Sequence, residues 1–591
     1  MPYGPDATLA DITADDEAAS ILRRHLPAVF EVVDARLWPF LTLAELPLRV
    51  RFAGEADPDL MPMWQELAAL RTAPAPSRVQ QAPEPPAPGY ESAEVPRGSA
   101  RVRAVSAAEQ WGIAEVVVDG PAHGNPFVDV DLHATFRSEG EEVEVGGFYD
   151  ADGTYRIRFH PPRAGTWTFT TRSNARSLDG LTGSVDVAPP SSGNHGRVRV
   201  RDTYHFAHAD GTPYRPWGTT LYAWTHQSPE LEEQTLRTLA DGPFTKVRMC
   251  VFPKSFDFNA DEPARYPYQR DPAGGWDFTR FDAGFFRHLE RRIHELRNIG
   301  VEADVILFHP YDRWGFSRMP DWADDLYTRY VVRRLAAFAN VWWSIANEYD
   351  FVRAKTDDDW ERIAEVIRRE DPADHLRSIH NGFRLYDHTR PWITHCSIQR
   401  TDTYRTTENV DEWRERYHKP VVMDECGYEG DLEWGWGNLS AEELVRRCWE
   451  AAVRGGYASH GETYCDESEV IWWAKGGALR GESASRIGFL AGIVAQAPSG
   501  RFDPLPGDFD APWSGDAHHR LVYFGFQRPF RRSILLPPGT RWHVDVIDTW
   551  NMTVDTLPAV GAGRVVVRLP GREYMAVRLR RADPEEANRS L

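Results

Sequence analysis

The feature that most limits what this chain can become is an alternation of short strand-like runs with helical stretches over residues 215–462. The runs are RPWGTTLYAW (215–224), TKVRMCVF (245–252), EADVILF (302–308), VWWSIA (341–346), LRSIH (376–380), WITHC (392–396), PVVMD (420–424) and YASHGE (457–462). Amphipathic helices lie between several of them. Phe286, Leu289, Ile293 and Leu296 make one apolar stripe, with Gly300 where a C-cap glycine belongs. Ser440 and Glu443 form a capping box that opens the helix carrying Leu444 and Cys448. Eight βα units over about 300 residues fit a (β/α)8 TIM barrel, an α/β fold, in number and length. The main competitor is a doubly wound sheet, but the first run is not followed by a Gly-rich phosphate turn.

A chain of 591 residues exceeds what one hydrophobic core serves, so further domains are expected on both sides of a barrel at 197–505. Residues 1–73 read as a helical segment, with Leu22, Leu26, Phe30 and Val33 on one face and Pro27 able to kink or split the helix. The Pro- and Ala-rich stretch 74–97 reads as a linker. Over 98–192, alternation predicts a β-sandwich: Val128, Val130, Leu132, Ala134 and Phe136 interleave with polar residues, and Tyr155, Ile157, Phe159, Trp167 and Phe169 repeat the period. Alternation returns at 521–526, 542–548, 564–569 and 574–579, predicting a second small β-sandwich at 515–582 and a frayed tail beyond it.

The net charge of −20 excludes the basic face that nucleic acid or an anionic membrane surface requires. No run reaches membrane-spanning length. The N-terminus lacks the basic start and apolar core of a signal peptide, so a cytoplasmic protein with an importable substrate is expected. The five cysteines are scattered without a C-x-x-C pair, which argues against a disulfide framework or a zinc site. No H-E-x-x-H, G-x-S-x-G or P-loop motif is present, and neither a metal nor a cofactor is expected.

In a barrel, catalytic side chains project from the C-terminal ends of the strands. The fourth run ends in Asn347-Glu348-Tyr349 and the seventh in Asp424-Glu425-Cys426-Gly427. Two carboxylates on separate strands, about 5 Å apart across the axis, perform a double displacement on a glycosidic bond. Asp424 is the local rival of Glu425, and strand alternation lets only one of them face the pocket.

Asn-Glu ending strand four and Glu-x-Gly ending strand seven resemble the signature of clan A retaining glycoside hydrolases. The segments GTTLYAWTHQ (218–227), IWWAKGGALRGES (471–483) and VIDTWNMT (546–553) narrow the resemblance. They are similar to a bacterial group, related to apiosidase-like enzymes, with an N-terminal β-sandwich and a C-terminal β-domain. The resemblance covers roughly residues 98–580. It implies Glu348 as acid/base, Glu425 as nucleophile, Asn347 on the sugar hydroxyl beside the anomeric centre, Arg248 paired with the nucleophile, and His309 on substrate. The plainer reading of Arg248 is neutralisation of a buried acid, and that of His309 is a hydrogen-bonded core histidine.

Around these ends the sequence gathers aromatic faces and polar edges of the kind a sugar pocket uses. Trp224, His226 and Gln227 follow strand one, and Tyr311, Asp312 and Trp314 follow strand three. His380 and Asn381 end strand five, His395 lies in strand six, and Trp434 and Trp436 follow strand seven. His460 and Glu462 end strand eight, with Trp472, Trp473 and Lys475 beyond. Packing serves each of these residues singly as well as function does, and an ion pair serves Glu462. Crowded loops after strands two, seven and eight favour a closed pocket. The reading is therefore an exo-acting retaining glycosidase on small oligosaccharides or glycosides. A transglycosylase using the same glutamates, a carbohydrate-binding scaffold with a non-catalytic barrel, and homo-oligomerisation stay open.

Overall fold

The computed structural model describes residues 3–4, 7–33, 41–46, 59–70, 82–272, 274–558 and 562–582. Eight short strands run parallel through its centre: β1 (Gly218–Thr220), β2 (Lys246–Cys250), β3 (Glu302–Phe308), β4 (Val341–Ala346), β5 (Arg377–Ser378), β6 (Cys396–Gln399), β7 (Val421–Glu425) and β8 (Tyr457–Ala458). β1 to β5 hydrogen-bond in chain order as one sheet, and β6 to β8 as another. Single parallel bridges join the two sheets at both seams, His380 to Ser397 and His460 to Thr219. Helices cover the outside. In Ala283–Asn298 the buried residues Phe286, Leu289, Ile293 and Leu296 form the inward stripe, and Gly300 adopts φ +75° just past the helix end. Ser440 Oγ accepts the Glu443 N–H at the start of the helix Ala441–Val453.

Two strands differ from the sequence reading. β5 is only two residues long, and β6 begins where the run 392–396 was expected to end. Residues 390–393 form a turn, with the Ile393 N–H on Arg390 O and the Trp392 indole donating to Glu361 at 3.0 Å. The apolar side chains there face the helix layer, which moves the strand downstream.

Residues 101–188 contribute eight strands in two layers. The strand Glu141–Tyr149 serves both: residues up to Gly146 pair with Leu132–Ser138, and Gly147–Tyr149 pair with Tyr155–Ile157. The changeover falls at two glycines. A Cβ on Gly146 would sit 2.4 Å from the Arg333 side chain, and one on Gly147 2.8 Å from Leu132. The enclosed core holds Val116, Val118, Phe136, Ile157, Phe159, Trp167 and Phe169. The strand expected over 128–136 starts only at Leu132, because Pro126–Asp129 is a helical turn. Pro126 presets its first φ, and Asp129 accepts the Asn125 N–H at 2.7 Å.

At the N-terminus the helices Asp16–His25 and Val29–Val32 are separated at Pro27 and share a small core with Met63 and Leu67. This segment reaches the loop after β3, where Arg318 contacts Asp11 at 2.6 Å and Thr8 Oγ1 at 2.8 Å. Of the expected linker, residues 74–81 lie outside the described residues. The rest follows the β layers, with Glu91 accepting from the Ser177 N–H and hydroxyl. The tail beyond Ala582 also lies outside the described residues.

After residue 504 a six-stranded sheet and a two-stranded ladder enclose Val522, Trp542, Val544, Val567 and Val577. Leu521, Tyr523, Ile547 and Ala576 instead pack on Leu444, Trp449 and Leu490 of the helices Ala441–Val453 and Ser483–Ala495. The five cysteines are free, and no described helix is long and apolar enough to cross a membrane.

The N-terminal β layers are joined to the parallel-strand region through buried ions. Asp150, whose side chain is fully buried, meets Arg156 of its own sheet at 2.6 Å, and Arg334 at 2.9 Å and Arg287 at 3.1 Å on two of the helices that cover the parallel strands. Glu290 answers with Arg158 at 2.8 Å. Removing one member of such a group strands the others in a low-dielectric interior. Asp150→Ala is therefore expected to destabilise the protein by about 3–5 kcal/mol, read as a lower midpoint in denaturant unfolding. An unchanged midpoint would show that the joint carries no stability.

Candidate active site

β2 places two cations two residues apart, Lys246 and Arg248, on the face that points inward. Both are fully buried. Lys246 Nζ lies 2.7 Å from Asp304 on β3 and 2.7 Å from Asp424 on β7. Asp424 also accepts the hydroxyls of Ser397 at 2.6 Å and Ser459 at 3.1 Å. Burial raises the pKa of a carboxyl group, but here Lys246 and Arg248 outweigh it and hold Asp424 well below the usual carboxylate range.

The expectation that only one of Asp424 and Glu425 faces inward is corrected by the register of β6 on β7. Ile398 pairs with Met423 and Gln399 with Glu425, so Asp424 is the extra residue of a bulge. A bulge bends its strand and re-aims the side chain that follows. Asp424 turns down to Lys246, while Glu425 turns to Arg248.

Arg248 Nη1 lies 3.1 Å from Glu425 Oε1, which also receives the Tyr222 hydroxyl; His380 stands 3.4 Å away. Burial pushes Glu425 up, but His380, Arg248 and Tyr222 together bring it down to about 2. Arg248 Nη2 donates to Asn347 Oδ1 at 2.9 Å, and Asn347 Nδ2 donates to Glu348 Oε2 at 3.1 Å. One asparagine thus spans the two glutamates.

Glu348 follows β4 in the left-handed region, φ 48° and ψ 54°, and opens the turn Tyr349–Phe351. A non-glycine residue there is uncommon and carries local strain. Its carboxyl accepts from the Tyr311 hydroxyl and from Gln399 Nε2 at 3.0 Å. Burial and the charge on Glu425 outweigh those donors and push Glu348 up to about 7. The surroundings therefore drive the two carboxyl groups apart, Glu425 toward the ionised form and Glu348 toward the protonated one, the separation that acid/base and nucleophile chemistry requires.

Comparison with known proteins gives a consistent picture. The sequence model described as "Apiosidase-like, catalytic domain" matches residues 201–500. The chain belongs to the apiosidase-like family. Two domains of unknown function flank the apiosidase-like region, DUF5060 at 107–174 and DUF5605 at 509–580. A crystal structure of a candidate glycoside hydrolase from Bacteroides vulgatus ATCC 8482 is 39% identical, covering 81% of this chain and 100% of its own, with a TM-score of 0.77. A family 5 glycoside hydrolase from the same organism shares the fold at 16% identity and a TM-score of 0.53, covering 65% of this chain and 93% of its own. No curated protein matches.

The remaining residues singled out in the apiosidase-like sequence scatter. His380 touches Glu425, and Asn381 holds Gln399 through its backbone N–H and carbonyl. Trp434, Trp436 and Trp473 line an adjoining cavity of about 230 Å³ with Phe256, Phe258 and Leu432. His309 and His226 contact the carbonyls of Phe252 and Val251. Gln227 donates to Ala223 O and Asn259, Asp312 ties the turn 314–317, and Trp314 donates to Glu262. Trp224 belongs to the main hydrophobic core, and Trp472 packs on Phe244 while donating to Thr219. His395 lies at the opposite, N-terminal end of the strands, against Trp342 and Phe206. Lys475 stands 4.0 Å from exposed Asp261. Glu462 accepts the N–H groups of Arg480 and Gly481; with Glu429 and His460 it offers ligand-type atoms within 4.8 Å of one another, a place where a metal ion could sit.

Tyr222, Lys254 and Gln399 are in the enclosure but were not selected from sequence, whereas Tyr311 was picked out after strand three. Tyr222 is two residues past Thr220 on the same alternation, a signal that was available. Gln399 was hidden by the early end assigned to strand six.

Because Glu348 has its pKa raised from 4.5 to about 7, its protonated form favours the fold. That contribution is complete below about pH 4.5 and is lost as pH rises through about 7. Wild type should therefore lose thermal stability relative to Glu348→Gln between about pH 5 and pH 8. Parallel melting-temperature profiles for the two proteins would contradict the raised value.

Proposed function

We propose that this chain is a retaining, exo-acting glycoside hydrolase on a (β/α)8 barrel closed by the two seam bridges, flanked by β-domains at 98–192 and 515–582. One observation carries the reading: two buried glutamates, joined through Asn347, are driven to opposite protonation states by their surroundings. Membership of the apiosidase-like family and likeness to the Bacteroides vulgatus protein support the same reaction class.

Glu348 gives its proton to the glycosidic oxygen as the bond to the anomeric carbon breaks. A Glu425 oxygen attacks that carbon and forms the glycosyl-enzyme. Glu348, now ionised, takes a proton from water; the water oxygen bonds to the anomeric carbon and Glu425 leaves. Arg248 and Tyr222 keep the nucleophile ionised and aimed. Asn347 is placed to donate to the sugar hydroxyl beside the reacting carbon. The exo mode is supported by burial, since only 6% of Glu348 and 8% of Glu425 is exposed.

The test is a panel of aryl glycosides, including pentofuranosides, with wild type, Glu425→Gln and Glu348→Gln. Glu348→Gln is expected to lose about 10²–10⁴-fold in kcat on substrates with poor leaving groups and far less on dinitrophenyl glycosides. Glu425→Gln should lose activity on both. Proton NMR should show retained anomeric configuration; inversion, or activity indifferent to both substitutions, sinks the proposal. A second check is the pH profile, in which kcat/KM should fall about tenfold per unit above the Glu348 value of about 7.

A further inference from the structure

Lys254 lies in the loop that leaves β2, and its ammonium stands in the same enclosure as the glutamates. The residue is 4% exposed. Its Nζ is 3.6 Å from the centre of the Tyr222 ring, 4.1 Å from that of Tyr311 and 4.9 Å from that of Trp473. Tyr222 is the residue that donates to Glu425, and Tyr311 the one that donates to Glu348. Among the described residues, no carboxylate pairs with this ammonium and no acceptor takes its hydrogens.

Aromatic faces stabilise a cation without using up its N–H bonds. Lysine has three such bonds, and a buried charge with idle donors is costly unless something completes it. The neighbouring charges are already matched. Glu425 has Arg248, Lys246 has Asp304 and Asp424, and Glu348 keeps its proton. Lys254 is therefore a cation that forms no ion pair among the described residues, although Glu348 and Glu425 lie near enough to favour its charged form. A neutral sugar could offer it hydroxyl oxygens but no charge; a carboxylate offers both.

We infer that Lys254 recognises a carboxylate on the sugar held at Glu348 and Glu425, so that the substrate class is a glycoside of an acidic sugar. This rests on the glycosidase reading above. Burial draws the lysine down to about 8, against Cys250, Glu348 and Glu425, which favour its charged form. The titratable and charged groups around it are Cys250, Tyr222, Tyr311, His309, Arg248, Glu348 and Glu425. Of these, Glu348 ionises in the same range, so the test removes it.

Binding is measured by isothermal titration calorimetry on Glu348→Gln, with the free sugars D-glucuronate and D-galacturonate as probes and D-glucose and D-galactose as their neutral counterparts. At least one uronate should bind about tenfold or more tightly than its neutral parent. Adding Lys254→Gln should erase that ratio while leaving neutral-sugar binding in place. Lys254→Met, closer in shape, guards against loss through misfolding, with melting temperature as the control. Uronate affinity in Glu348→Gln should also fall as pH rises through about 8. Equal binding of acid and neutral sugars, no uronate binding, or an equal loss on both in the Lys254 variants overturns the inference. Glu425-dependent cleavage of a neutral aryl glycoside would sink it too while leaving the glycosidase standing. Selective uronate binding without cleavage of any glycoside would do the reverse.

Discussion

Two cations on one strand, buried where water cannot reach them, organise the interior. Lys246 and Arg248 must each be neutralised, and the acids that do so come from β3 and β7. Once Asp304 and Asp424 are committed to Lys246, Arg248 is free to serve Glu425 and Asn347. Glu348 has no arginine of its own and keeps its proton instead. The two glutamates are the same chemical group; their different states come from where β2 puts its charges.

Much of this was legible from sequence because strands and helices announce themselves by period. Six of the eight runs, the stripe Phe286–Leu296 and the capping serine fall where the pattern puts them, while the fifth strand is shorter and the sixth lies downstream. Element ends were less legible, and the site depends on them. Reading strand six as ending at Cys396 brought forward His395, which packs at the far end of the strands, and hid Gln399, which touches Glu348. The bulge at Asp424 breaks the rule of alternation from which the sequence argument started. No period marks Lys254, because a loop residue is placed by its tertiary neighbours alone. Histidines such as His309 and His460 look functional in a string of letters, yet their observed partners are a backbone carbonyl and a threonine.

The parts on either side of the parallel-strand region hold it by different means. The β layers before it are tied by the Asp150 and Glu290 ion groups, and the sheet after it by apolar contact through Trp449, Leu490 and Tyr523. Ion groups of this kind need fixed geometry from both sides, whereas an apolar face tolerates small shifts. The N-terminal helices reach the loop after β3 through Arg318, close to the turn that carries Tyr311.

The left-handed backbone at Glu348 has a consequence for timing. A flexible acid must be brought to its aim at each encounter with substrate, giving up rotational freedom every time. Here the main chain itself turns the residue inward, and Asn347, Tyr311 and Gln399 pin its tip. The ordering is done once, when the chain folds, so the carboxyl group is in position before any ligand arrives.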